Sequence, residues 1–172
     1  MYAEGEDAIY YLTLANENYQ MPAMPEGVRE GILKGLYRFR PHPAPAPLRA
    51  HIFGSGPIMR EALRAQTILS DRYGVAAEVG GATSYERLRT GALEAQRWNM
   101  LHPSETPRRS YLEDILADEE GVFVAVSDYM KLVPDQLAPW IGERMDSLGT
   151  DGFGRSENRD TLRKFFEVNS ES

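Results

Sequence analysis

Val122-Phe-Val-Ala-Val126 is a run of apolar residues bounded by Gly121 on one side and Ser127-Asp128 on the other. Three of its members are β-branched valines, and nothing polar interrupts it. A short, continuous run of this kind reads as a strand buried on both faces, the pattern of a parallel sheet. Working outward from it, Tyr111–Ala117 reads as a short helix, Tyr85–Leu101 as a long one and Val75–Val79 as a strand. Pro57–Tyr73 is a strongly amphipathic helix with Ile58, Leu63, Ile68 and Leu69 on its buried side, and Leu48–Phe53 is the strand before it. Downstream lie a helix somewhere within Asp128–Trp140, a weak strand at Arg144–Leu148 and a last helix at Arg159–Phe166. Strand–helix alternation predicts right-handed crossovers and an α/β fold with a mainly parallel sheet and helices on both faces.

The amino-terminal third is less regular. Ala8–Ala15 is almost continuously apolar and predicts a further buried strand, whereas the segment Asn16–Pro25 holds prolines and asparagines and should be irregular. Val28, Ile32 and Leu36 recur at helical spacing, so Glu26–Leu36 reads as a short helix. Tyr37–Arg40 alternates apolar and basic residues, as a half-exposed antiparallel edge strand does. In Pro41-His-Pro-Ala-Pro-Ala-Pro47 proline occupies every second position, which favours extended backbone and suggests a stiff hairpin connection into Leu48–Phe53. The expected sheet has about five strands.

Composition narrows the class of function. The chain has 172 residues, 42% hydrophobic and 26% charged, sufficient for one domain with a real core. It contains no cysteine, which excludes disulfide and thiolate chemistry and permits a reducing, cytoplasmic compartment. A formal charge of −7 argues against nucleic acid as a partner, and no apolar run has the length of a membrane span.

Few motifs carry chemistry. Gly54-Ser-Gly56 follows a strand and opens a helix, the location of a phosphate cradle, but the third glycine of a dinucleotide fingerprint and a Gly-Lys-Ser/Thr are both missing. The plainer reading is Ser55 as an N-cap with Pro57 in the first turn. Of the histidines, His42 lies among prolines and reads as solvent-exposed, and His51 sits inside a strand with a structural partner. His102 closes a helix and opens a loop holding Glu105, Arg108 and Arg109. No two histidines have metal-ligand spacing, and no Gly-x-Ser-x-Gly elbow occurs. In Leu148-Gly-Thr-Asp-Gly-Phe-Gly-Arg-Ser156, glycines surround an acid, an aromatic and a base. Asp151 and Arg155 should fix this loop by hydrogen bonds or an ion pair, and Phe153 should anchor it in apolar packing. A place at a chain–chain contact is the sharper alternative.

That glycine-rich stretch, together with Arg97-Trp-Asn-Met-Leu-His-Pro103 and Asn16-Glu-Asn-Tyr-Gln-Met-Pro-Ala-Met-Pro25, resembles the homodimeric type of pyruvate dehydrogenase decarboxylating component. The resemblance implies a transketolase-like C-terminal domain over residues 48–172, entered through a linker at 16–47 and preceded at 1–15 by the last strand of a pyrimidine-binding domain. It also implies a chain that stops before the family's final apolar helix, leaving a sheet face bare and Ile9, Tyr11 and Leu14 without their sheet. By the same resemblance the complete enzyme uses thiamine diphosphate and magnesium, pairs with a homodimer mate and passes acetyl groups to a lipoyl-bearing acetyltransferase. The family's diphosphate motif, Gly-Asp-Gly followed by Asn-Asn, is missing, so no catalytic, cofactor or metal residue carries over. His102, Asp151, Phe153, Arg155 and Ser156 are carried as structural or interface candidates. Two other readings stay open: a free-standing, non-catalytic module of the same fold, or the equivalent domain of another 2-oxo acid dehydrogenase or a transketolase.

Overall fold

The computed structural model describes residues 3–12, 14 and 18–172. Five strands, β1 (Leu36–Arg40), β2 (Leu48–Gly54), β3 (Val75–Ala82), β4 (Val122–Val126) and β5 (Met145–Leu148), form one sheet in the order β1-β3-β2-β4-β5. β1 runs antiparallel to β3 at one edge, and every other pairing is parallel. The α/β architecture expected from the sequence is therefore the one found.

The alternation of side chains along each strand divides the core in two. Phe53, Phe123 and Ala125 face one side, where they pack with Leu36, with Tyr85 and Leu88 of α3 (Tyr85–Leu101), with Leu112 of α4 (Tyr111–Ile115), and with Leu137 and Ile141 around α6 (Ala138–Ile141). Ala50, Ile52, Ala77, Val79 and Val126 face the other side, where they meet Ile58, Ala62 of α2 (Met59–Ile68) and Val168. This second face is only partly covered. An open cleft of about 570 Å³ runs along it, walled by Ala50, Ile52, Val124 and Val126 of the sheet and by Ala65 and Ile68 of α2, with Ser170–Ser172 at its rim.

Helix ends follow local chemistry. Ser84 caps α3 through its hydroxyl, and Ser110 and Glu113 form a reciprocal capping box on α4. α7 (Arg159–Phe165) is capped by the Asn158 side chain.

Several expectations need correction. The helix expected over Glu26–Leu36 is α1 (Arg29–Lys34), because Gly35 turns into the left-handed region at φ 107° and releases Leu36 into β1. Pro41–Pro47 is not a hairpin. β3 inserts between β1 and β2, so the proline run crosses over β3 instead, its start held by the buried Gln66 amide, which donates to Pro41 O and Ala77 O. The helix expected over Pro57–Tyr73 is three segments: a 3-10 turn at Gly56–Ile58, α2, and a wider π turn at Leu69–Tyr73 closed by Gly74. Asp128–Trp140 holds not one helix but part of two short ones, α5 (Leu132–Asp135) and α6. The strand expected at Ala8–Ala15 is absent from its described residues: 8–12 and 14 are irregular, and Ile9 and Leu14 are 98% and 91% exposed. A strand needs a neighbour for its backbone groups, and none of the five pairs with this segment. Thr13 and Ala15 lie outside the described residues.

Candidate functional site

In a parallel sheet the loops at the carboxyl ends of the strands are where binding residues gather. Here the loops after β4 and β5 are tied into one unit. Ser127 N donates to Leu148 O, continuing the β4–β5 pairing by one residue, and the Ser127 hydroxyl accepts from Tyr129 N. Thr150 N donates to Tyr129 O at 2.9 Å, and its hydroxyl donates to Asp128 O at 2.6 Å. Gly149 makes this closeness possible: a Cβ there would stand 2.3 Å from Lys131 N. Asp151 Oδ1 accepts from Lys131 N at 3.0 Å.

Below the loops, the Asp128 carboxylate faces the Arg163 guanidinium at 3.4 Å, and Arg163, almost wholly buried, also lies 3.8 Å from Glu61. Glu61 accepts from Ser170 N. α7, the β4 loop, α2 and the C-terminal residues are thereby joined through one buried charge cluster. Removing one partner from such a cluster costs far more than the pairing contributes, because the other charges stay buried.

The structure brings some of the sequence candidates together and separates others. Asp151, Phe153, Arg155 and Ser156 share the glycine loop. Asp151 is fixed through the Lys131 amide, while the Arg155 guanidinium lies 4.2 Å from the Phe165 ring. Phe153 is not an apolar anchor. Gly152, at φ 104°, turns the chain outward, and the Phe153 side chain is 97% exposed. His102 is elsewhere: α3 leaves the carboxyl end of β3 and carries His102 about 25 Å away along its axis. There the imidazole stacks on Trp98 at 4.3 Å and its Nδ1 lies 2.8 Å from Trp98 O. Arg108 lies over the same indole, and Asn99 holds the Arg108 backbone by both its amide groups.

His42 is half-buried rather than exposed, with Nδ1 enclosed and without a hydrogen bond. Ser55 occupies the N-cap position but makes no capping hydrogen bond. His51 has the structural partners its place in a strand suggested: Nε2 lies 3.0 Å from Glu120 O and 3.5 Å from the Glu119 carboxylate, and the ring stacks on Phe123. Sequence reasoning missed what surrounds it. Arg38 of β1 bridges Glu119 and Glu78 of β3, so the amino side of the packed face ends in a line of charges. The alternation in β2 was the available signal, because it sets His51 on the same face as Phe53 and opposite Glu78 in register.

None of this makes a catalytic constellation. The acid in the glycine loop, Asp151, is engaged by a backbone amide, and among the described residues no group of three His, Cys, Asp or Glu could hold a metal ion. With Asp151 Oδ1 already accepting from the Lys131 amide, and with neither a Gly-Asp-Gly nor an Asn-Asn in the chain, the glycine loop lacks the donor set of a magnesium–diphosphate site. What the carboxyl end offers is a rigid pair of loops presenting exposed aromatic and basic side chains. Among the described residues no helix is long and apolar enough to cross a membrane.

The profile of the transketolase-like TK C-terminal domain matches residues 35–169. The chain is 43% identical over 169 residues to the pyruvate dehydrogenase E1 component of Pseudomonas aeruginosa, covering 98% of this chain and 19% of that protein. Identity to the pyruvate dehydrogenase E1 component of Escherichia coli is also 43%, over 172 residues and 19% of its length. The chain thus spans about a fifth of the curated relatives it matches. Among solved structures, a transketolase from Leishmania mexicana superposes with a TM-score of 0.56 at 19% identity, over 83% of this chain and 17% of that one, a likeness of fold.

Proposed function

The chain belongs to the transketolase-like C-terminal domain family, and from that premise we propose that it serves as this domain in a thiamine-diphosphate-dependent, acetyl-transferring pyruvate dehydrogenase. The observation that carries the reading is 43% identity along nearly the whole chain to proteins named pyruvate dehydrogenase E1 component. The domain supports subunit association and the active site, while the oxidative decarboxylation of pyruvate and the transfer of acetyl to lipoyl groups are carried out by other parts of the enzyme. Residues 48–172 together with β1 form the domain, the rest of 16–47 serves as linker and entry to it, and 1–15 belong with the preceding pyrimidine-binding domain. The partners are the rest of the subunit, a homodimer mate and, through the complete enzyme, the lipoyl-bearing acetyltransferase, in the cytoplasm.

Thiamine diphosphate and magnesium belong to the complete enzyme and not to this chain. Asp151 and its loop serve architecture, with Phe153, Arg155 and Ser156 at a contact and His102 as a brace for the loop after α3. The exposed Ile9, Tyr11 and Leu14 and the open apolar cleft support a domain that works inside a larger protein.

A hybrid tests this. The chain replaces the region it matches in the Escherichia coli relative, and pyruvate decarboxylation is assayed with magnesium and thiamine diphosphate. The expected result is a folded hybrid with cofactor-dependent turnover, while the isolated 172-residue chain neither binds the cofactor in calorimetry nor releases carbon dioxide. A folded, inactive hybrid, or micromolar cofactor binding by the isolated chain, overturns the reading.

A further inference from the structure

Arg163, on α7, keeps only 4% of its side chain exposed, a setting a guanidinium tolerates only when it is paired. Its nitrogens are divided between two elements. Nε and Nη2 face Asp128 Oδ1 and Oδ2, each at 3.4 Å, in the parallel fork an arginine offers a carboxylate. Nη1 lies 3.8 Å from Glu61 on α2. The backbone of Arg163 is fixed as well. Val168 N donates to Arg163 O at 2.9 Å, with Glu167 in the left-handed region at φ 56° and Val168 wholly enclosed.

Asp128 is where this cluster meets the loops. Its carbonyl accepts from the Thr150 hydroxyl, and the carbonyl of Tyr129 accepts from Thr150 N, so the loops after β4 and β5 form one body. α7 holds that body to the domain, by Arg163 under the β4 loop and by Phe165 against Arg155 of the glycine loop. A buried guanidinium between two carboxylates is a poor source of stability, since apolar side chains of similar volume do as well or better. What the fork does supply is a defined geometry. We infer that Arg163 is a positioning residue: its fork sets where the paired loops stand on the domain, and in the complete enzyme that setting governs turnover without contact between Arg163 and substrate. The inference rests on the reading of this chain as the domain that supports the active site.

Removing Arg163 alone leaves two carboxylates buried, so the test uses the uncharged triple variant Arg163→Met, Asp128→Asn, Glu61→Gln. Arg64→Met is the control, because Arg64 reaches the same Glu61 at 3.7 Å from the exposed side of α2. In the full chain, amide exchange at Tyr129, Lys131 and Thr150 should quicken about tenfold in the triple variant. Its thermal melt should stay at or above the parent's. In the hybrid enzyme, kcat per folded enzyme should fall about tenfold or more, with KM for pyruvate within about twofold of the parent hybrid. Arg163→Lys should also lose turnover, because an ammonium has no second arm for the other carboxylate. Arg64→Met should match the parent in both measurements. With an active parent hybrid, the inference alone is overturned by parent-like loop exchange or kcat in the triple variant, by an equal loss in Arg64→Met, or by full turnover in Arg163→Lys. A triple variant that melts well below the parent makes the cluster a source of stability and overturns it too. A folded parent hybrid without turnover overturns the functional reading, and this inference with it.

Discussion

Phe123 and Val124 are adjacent on β4 and look out on opposite faces of the sheet, and the two faces are built differently. On the Phe123 side, α3, α4 and α6 close over the strands, and Phe123, Ala125, Leu112 and Leu137 are almost wholly enclosed. On the Val124 side, α2 and the C-terminal residues cover part of the sheet and leave the cleft along Val124, Val126 and Leu148. A strand's sequence states that both its faces are apolar. It does not state how much chain is present to bury each one, and the stabilisation obtained follows the area removed from water.

Truncation at the two neighbours is the most direct way to break this comparison. Phe123→Ala removes a ring that packs against Phe53 and His51, and it should cost about 3–5 kcal/mol. Val124→Ala removes methyl groups from the wall of an open cleft and should cost about 1 kcal/mol or less. Urea unfolding of the two variants gives both numbers. Equal losses would mean that the cleft face is closed in solution.

Enlargement sharpens the same contrast with a smaller effect. Ala125 is completely enclosed on the packed face, so Ala125→Leu must displace its neighbours, at about 1–3 kcal/mol. Ala65 lines the cleft, and Ala65→Leu has room to extend its side chain over apolar wall, leaving stability within about 0.5 kcal/mol of the parent. Thermal melts of the pair decide, and destabilisation by Ala65→Leu would show that the cleft is already filled.

The difference between the faces also marks how far the sequence could be read. Strands β2 to β5 and α3 were legible within a few residues, because their patterns are local: a continuous apolar run in β4, a capped periodic segment in α3. The insertion of β3 between β1 and β2 was not, since it depends on pairings between distant residues that no local pattern records. Nor was the outward turn of Phe153. Glycines in Gly149–Gly154 announce a tight loop, but Gly149 is there for a close backbone approach and Gly152 for a positive φ, and the composition alone does not distinguish these uses. Asp151 was legible as a loop-fixing acid. Its actual partner, the Lys131 amide, comes from a different strand's loop and could be named only once β4 and β5 were known to be neighbours. Arg163, almost wholly buried, carries no motif and becomes recognisable only from its burial, whereas the alternation of β2 already set His51 on the packed face.

The packed face holds one polar atom that makes its closure measurable. The Tyr85 hydroxyl is enclosed at the start of α3 without a hydrogen-bond partner, and burial pushes its pKa far above the usual tyrosine range. Burial raises Tyr37 and Tyr111 in the same direction, Tyr111 while it donates to Leu36 O. In the unfolded chain a tyrosine releases its proton near pH 10. Above that pH the folded state holds more protons than the unfolded one, so stability falls as pH rises. The contribution is intact below about pH 9 and is lost progressively beyond about pH 10. Tyr85→Phe should therefore be near neutral at pH 7, because the hydroxyl it removes has no partner to abandon, and the variant should lose stability less steeply than the parent on the alkaline side. Urea midpoints measured at intervals from neutral pH upward read both effects. Parallel curves for variant and parent would place the hydroxyl in contact with water, and the face closed by α3, α4 and α6 would then be more open than the enclosure of Phe123 implies.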